Sequence, residues 1–434
     1  MQIQQDFFRR NDLTIILFLY FLLMPIGKTL WYPLIVAAAL GGFALYKEIM
    51  ANGDLNLGTK WLITGGSFIF IPAALSLVDT VDLQRSLVFV ISYPLFFLAG
   101  YFVYKRISSG VSLLPLTWLL LALVGLWGSL AVWQYLDPNN PFGETELQYQ
   151  GIFTRDNPYV DGGLMFGVIL GSLFSFFIFT LWAIGYRVFA VITGVILIGL
   201  IFLSGTRSAW LSVIVTLFAI PIVAYLRGIQ LTRKAVGLGV VTLILTTSGG
   251  WMAYQQPALQ KRVDQTLSAF ENPTREGINR ALSGRLDIWE DAIQIGIDNP
   301  LVGAGVNNFR FAQPMLENPV ATQWISPWDG EKHNYVGPTH THQIFLEAWS
   351  GAGLLGVIGL GIYFVWLTRI SIKVATSGTL IAVGALIALW SGFFPLNTHN
   401  NFYGGWLSAW FWVWMGISAG LIFKDRQIPP VESN

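Results

Sequence analysis

Apolar residues along this chain gather in continuous runs of about 17–25, the length needed to cross a bilayer as helix. Twelve runs stand out, at roughly 12–27, 30–47, 61–78, 86–104, 111–136, 161–184, 187–203, 208–226, 235–253, 343–367, 378–396 and 403–423. Several contain Gly and Pro, which helices tolerate better in a membrane than in water. The pattern predicts an all-α, polytopic integral membrane protein with about 12 transmembrane helices. Two polar segments interrupt it. Residues 137–160 are rich in Pro, Asn and Gly and read as a turn-forming loop. Residues 254–342 are too many for a bare connection.

The chain therefore divides into helices 1–9 over 1–253, a helical loop over 254–342, helices 10–12 over 343–424 and a tail over 425–434. Within the loop, the stretch from Ser283 to Ile293 predicts a helix, with Ser283 as N-cap and Leu286, Trp289 and Ile293 as its apolar stripe. Asn299-Pro300 ends that helix, and Gly303-Ala304-Gly305 makes a turn beyond it. The loop reads as a small folded cap over the bundle. There is no internal repeat and no low-complexity tract.

Composition agrees. Of 434 residues 54% are hydrophobic and 11% charged, against about 25% charged in ordinary soluble proteins, and mean hydropathy is +0.58. Charge then orients the chain. Of 25 Lys and Arg, fourteen fall in one alternate set of connections, and Lys28, Arg85, Arg155 and Arg207 are those of the opposite set. The other seven lie in the long loop, which can cross whatever its charge. By the positive-inside rule both termini are cytoplasmic and the long loop is external, or periplasmic. All four histidines then share the external side. The first apolar run lacks a small-residue cleavage site and reads as a retained helix. The absence of Cys excludes disulfides and thiolate chemistry. A net charge of +1 carries no partner information, because charge is segregated by side; membrane lipids are expected partners and nucleic acid is not. Several of the 18 Trp, among them Trp31, Trp61, Trp133, Trp210, Trp251 and Trp406, sit near predicted helix ends, as in an interfacial aromatic belt.

Candidate chemistry collects on the external side. Ser204-Gly205-Thr206-Arg207-Ser208 joins two predicted helices with almost no loop, so Arg207 lies at the membrane surface where the next helix begins. A helix N-terminus favours an anion, and Arg offers a planar donor fork suited to phosphate. The other reading is an arginine anchored to lipid headgroups. Arg285 opens the loop helix, where acidic residues are favoured; it is either a second phosphate clamp or a surface ion-pair partner. In Pro338-Thr339-His340-Thr341-His342-Gln343, one of two imidazoles is a candidate base, since unperturbed imidazole has a pKa of about 6.5. No third ligand accompanies the two in a compact motif, so metal is not expected. Glu347, one turn into the following helix, would orient a ring, pair with an arginine, or be a satisfied bundle carboxylate. His399 lines the substrate or is structural, and Arg155 and Asn157 contact substrate or fix their loop. The predicted spans hold almost no ionisable residues away from their ends, which weighs against an ion-coupled transporter.

These residues resemble the O-antigen ligase and O-antigen polymerase superfamily, over about 150–420. Four stretches carry the likeness: Gly151-Ile152-Phe153-Thr154 with Asn157-Pro158; Leu203 to Ser208; Gly284-Arg285 through Trp289 to Asn299-Pro300-Leu301-Val302-Gly303 and Phe309; and His342 through Leu346 to Gly353-Leu354-Leu355-Gly356. The resemblance implies a GT-C-like glycosyltransferase that needs no cofactor and no metal. Its donor would be an undecaprenyl-pyrophosphate-linked glycan and its acceptor lipid A–core, in a bacterial inner membrane. By the same likeness Arg207 and Arg285 engage the pyrophosphate and His342 is the base, with His340, Glu347, Arg155, Asn157 and His399 as secondary candidates. The chain departs from the family twice, with Gln343 where Asn usually follows the histidine and Gly351 where an acid often precedes the Gly-Leu-Leu-Gly turn. Ligation is the first expectation. Polymerisation of repeat units, transfer to protein hydroxyls, and export or flipping of a lipid-linked glycan are the alternatives.

Overall fold

A computed structural model describes residues 2–24, 27–136, 162–203, 207–229, 260, 263–264, 267, 269–271, 273–325, 335–396 and 403–424. Its helices are α1 (Gln2–Leu23), α2 (Trp31–Asn52), α3 (Leu57–Leu75), α4 (Leu83–Ser108), α5 (Leu114–Leu136), α6 (Gly162–Ala183), α7 (Arg187–Leu203) and α8 (Arg207–Leu226). In the long loop follow α9 (Arg275–Ala281), α10 (Arg285–Asp298) and α11 (Phe309–Ala312), then α12 (Ile344–Ser377), α13 (Leu380–Phe393) and α14 (Gly405–Phe423). A two-residue antiparallel ladder, β1 (Trp324–Ile325) with β2 (Tyr335–Val336), is the one departure from helix and coil among the described residues. Among the described residues six helices are long and apolar enough to cross a membrane, and five shorter apolar stretches coincide with further predicted runs. The run at 235–253 and the loop at 137–160 lie outside the described residues. The protein is an all-helical, polytopic membrane protein.

Helix α14 forms the centre, with Trp410, Trp412 and Trp414 fully buried. It crosses α4 where Gly100 and Gly416 let the two backbones touch; a Cβ on Gly416 would stand 2.2 Å from the Gly100 carbonyl oxygen. Small residues at such crossings gain packing that apolar side chains cannot obtain against lipid of equal apolarity. Trp61, expected at the interface, instead packs inside, 4.7 Å from the Trp366 ring. Position near a helix end did not decide its environment; the α3–α12 packing did.

Polar clusters mark the two ends of the bundle. At one, the buried Glu48 carboxylate accepts from Asn56 Nδ2 (2.6 Å), Thr59 Oγ1 (2.9 Å), Tyr101 OH (2.7 Å) and Lys105 Nζ (2.8 Å), while Arg106 pairs with Asp12 at 2.7 Å. Arg227, just beyond α8, donates to the carbonyls of Ala375 (2.7 Å) and Gly378 (2.7 Å) at the finish of α12. Helices α8 and α12 therefore finish at the same end, so Arg207 and the segment before Ile344 both lie toward the opposite one. There the loop segment 304–308 meets the α3–α4 connection. Val81 N donates to Ala304 O (3.0 Å), Ser86 Oγ to Val306 O (2.9 Å) and Asn308 Nδ2 to Thr80 Oγ1 (2.6 Å).

Removing the Glu48 carboxylate strips Tyr101 OH and Asn56 Nδ2 of their acceptor. Glu48→Ala is expected to cost about 3 kcal/mol, as for breaking a buried pair from one side. The thermal midpoint of purified protein in detergent measures this, with Glu48→Gln expected to lose less.

Candidate functional site

Helix α12 starts because the Gln343 side chain caps it, accepting from Leu346 N at 2.7 Å. The same side chain donates from Nε2 to the Pro395 carbonyl at 3.1 Å, tying the helix start to the end of α13. The residue that departs from the family pattern thus has a local function here. Immediately before it the chain turns sharply, and His342 has φ of 56°. For a residue other than glycine this left-handed conformation is uncommon and costs on the order of 1–2 kcal/mol. Among the described residues, Ser283, Asn307 and His342 are the non-glycine cases. Of the three, His342 is the one that the sequence marked for chemistry.

The two imidazoles flank a buried threonine. Thr341 N donates to Glu347 Oε2 at 2.9 Å, and the Thr341 hydroxyl lies 2.9 Å from both Glu347 Oε2 and the Gln343 carbonyl oxygen. Glu347 itself is only 3% exposed. His340 and His342 are half-buried, with ring centroids 4.0 Å apart at 47°. His340 Nδ1 is also 2.8 Å from the Thr339 hydroxyl.

The loop helix reaches this segment directly. Trp289 Nε1 donates to the Thr341 carbonyl at 3.1 Å. Arg285 is the first residue of α10 and half-buried, four positions before Trp289 and so on the same face, about 6 Å along the axis. Ser283 is not the N-cap, contrary to expectation. Gly284 (φ 77°) holds that position without a side-chain cap, and Asn279 Oδ1 takes the Leu286 N–H at 3.0 Å. A neighbouring helix supplies the acceptor that sequence proximity assigned to Ser283. The buried stripe also differs. Ala292 and Ile295, with Ile288 packed alongside, form a small core with Ala304, Phe309 and Ala312, reaching Leu346 of α12, whereas Ile293 is 46% exposed. Asp287 and Glu290, on the same helix as Arg285, both bond Arg275, at 2.8 and 2.6 Å. Glu290 and then Asp287 hold the Arg275 guanidinium above its ordinary pKa.

Two features lay beyond sequence reasoning. Asp291 is buried and accepts from Val320 N (2.8 Å), Ala321 N (2.9 Å) and Gln313 Nε2 (2.8 Å), bracing the loop from inside. And α12 is broken at Gly353 (φ 60°, ψ −153°). An unbroken helix would bond Leu354 N to Ser350 O. Instead Leu354 N donates to Pro300 O (2.8 Å), and Ser350 O accepts from Ala304 N (2.8 Å). The loop backbone is inserted into the break, which is the structural meaning of the Gly-Leu-Leu-Gly turn. Gly351 has little room for an acid, since a Cβ there would already touch Val306 Cα at 3.4 Å.

The structure thus brings together His340, His342, Glu347 and the helix of Arg285. Arg207 opens α8 at the same end of the bundle, its side chain outside the described ones. Arg155, Asn157 and His399 lie outside the described residues. Among the described residues, no group of three or more imidazoles and carboxylates is arranged to hold a metal.

Residues 192–361 match a family profile described as O-antigen ligase. That span is narrower than the 150–420 of the sequence resemblance, and contains Arg207, Arg285, His340, His342, Glu347 and the Gly353 break. No curated protein matches the chain. The matched span thus holds the loop helix, the two imidazoles and the Gly353 break that the geometry joins, and over those residues this polytopic membrane protein is similar to the O-antigen ligase family.

Proposed function

We propose that the protein is a metal-independent, inverting glycosyltransferase that moves O-antigen polysaccharide from an undecaprenyl-pyrophosphate carrier to lipid A–core, on the periplasmic side of a bacterial inner membrane. His342 takes the proton of an acceptor sugar hydroxyl as that oxygen attacks the anomeric carbon. The bond from that carbon to the phosphate oxygen breaks, and the pyrophosphate departs with the electron pair. Arg207 and Arg285 neutralise the charge that builds on it. The observation that carries this reading is the Trp289–Thr341 bond. It places the helix opened by Arg285, a phosphate-type donor, against a strained, polar-anchored histidine within the span similar to the ligase family.

Deleting the gene in its host, with lipopolysaccharide run on a gel and polyprenyl-linked glycan assayed alongside, tests it. Loss of every O-antigen band from lipid A–core, with polymer retained on the carrier, is expected. A surviving core-plus-one-repeat band would establish polymerisation instead, and glycan movement without bond formation in vesicles would establish a transporter. In purified enzyme, Arg285→Ala and Arg207→Ala are each expected to lower kcat by about 10²–10³-fold, the usual effect of losing one donor to a developing anion. Lys at either position is expected to recover little, because it lacks the planar fork.

A further inference from the structure

We propose that Glu347 is a positioning residue for His342, acting through Thr341; the inference rests on His342 being the base. A buried carboxylate near a membrane surface is costly unless its position repays the desolvation. Here its Oε2 receives the Thr341 amide and stands within bonding distance of the Thr341 hydroxyl. On the opposite edge of the same residue the carbonyl is held by the Trp289 indole. Thr341 is therefore fixed from the membrane helix and from the loop helix at once, and it is fully buried.

The consequence falls on the next residue. A left-handed histidine persists only where its surroundings over-determine the backbone. Thr341 on one side and the Gln343 cap on the other supply that constraint, so the His342 ring has one direction in which to point. Glu347 holds the residue preceding the base, by its amide and hydroxyl, and that hold sets the orientation of the ring. The requirement is an acceptor at the Oε2 position, not a negative charge, and Gln meets it.

The test uses purified full-length protein in nanodiscs, with a polyprenyl-pyrophosphate-linked glycan as donor and lipid A–core as acceptor. It is paired with the ring-¹⁵N spectrum of the four histidines, in which the signal absent from His342→Ala identifies His342. Glu347→Ala is expected to lower kcat by about 10²-fold, as for a misplacement of about 1 Å, with donor KM unchanged. It is expected to move the His342 signal and to add no loss in a His342→Ala background. Glu347→Gln stays close to the parent in both readouts. Thr341→Val, which keeps the shape and removes the hydroxyl, moves the same signal and lowers kcat by about 10-fold, and carries the test if Glu347→Ala does not fold. The proposal is overturned if Glu347→Ala leaves the signal and kcat in place, if Glu347→Gln is as impaired as Glu347→Ala, or if the Glu347 and His342 losses multiply. Full activity in His342→Ala would remove the base assignment instead, while the spectrum would still report whether Glu347 sets the ring.

Discussion

Replacing His342 is expected to lower kcat by about 10²–10⁴-fold, the contribution of a positioned general base, with little change in donor KM. The choice of substitution matters because the backbone there has φ of 56°. Alanine removes the imidazole and also meets a conformation that suits it poorly, so part of its effect appears as lost stability. Asn enters the left-handed region more readily, and His342→Asn isolates the chemistry. Transfer of glycan from the polyprenyl-linked donor to lipid A–core, followed under single-turnover conditions, is the measurement. His340→Ala provides the comparison. Its ring lies tilted against that of His342, but its neighbour Thr339 is exposed, whereas Thr341 and Gln343 tie His342 to three helices. A smaller loss is therefore expected for His340→Ala. The reverse order would make His340 the base.

Substituting Gly353 is expected to cost the fold itself. Its φ and ψ of 60° and −153° lie in a region that only glycine enters without strain, worth about 1–3 kcal/mol on backbone terms alone. A Cβ would also lie 2.5 Å from the carbonyl carbon of Leu301 and 2.6 Å from its oxygen. Gly303, across the crossing, has φ of 70°, and its Cβ would stand 2.5 Å from Ala352 N. Backbone meets backbone on both sides, so no flexible side chain can yield. Gly353→Ala is expected to expel the 300–304 segment from the break in α12, releasing the Leu354 and Ser350 bonds and with them the seat of α10. Most of the protein should then fail to elute as a monodisperse species after detergent extraction, and what remains should be sensitive to protease within the loop. A Gly353→Ala protein with the parent's thermal midpoint would show that the inserted segment does not need the break. Gly351→Ala is the control, since φ there is ordinary and a Cβ finds only van der Waals neighbours at 3.4 Å and beyond.

Much of this was present in the linear pattern, for reasons that can be stated residue by residue. Hydrophobic length is a local property dictated by the bilayer, so runs such as 86–104 and 187–203 came within a few residues of α4 and α7. Where the pattern misjudged an end, residues outside the apolar run extended the helix. Asp82 accepts from Arg85 N at 3.1 Å and starts α4 before its run begins, and α12 continues past its apolar stretch to Ser377. The candidate chemistry stood out wherever a residue opposed a local rule. Arg285 sits at a helix start that prefers acids, and two histidines stand at the edge of an apolar helix that has no need of them.

What the sequence by itself determined, then, was the all-helical membrane architecture, the long loop with its Arg285 helix, and a short set of residues able to handle an anion and a proton. Only the tertiary structure decided how those residues meet. It assigned the cap of α10 to Asn279 instead of Ser283, turned Ala292 and Ile295 inward instead of Ile293, and set the loop backbone into α12 at Gly353. It also clamped Thr341 between Trp289 and Glu347, residues 58 positions apart in the chain. The physical reason is range. Span length and charge asymmetry act on each segment separately, whereas a hydrogen bond or a backbone crossing is set by whichever distant group the packed chain delivers to that place.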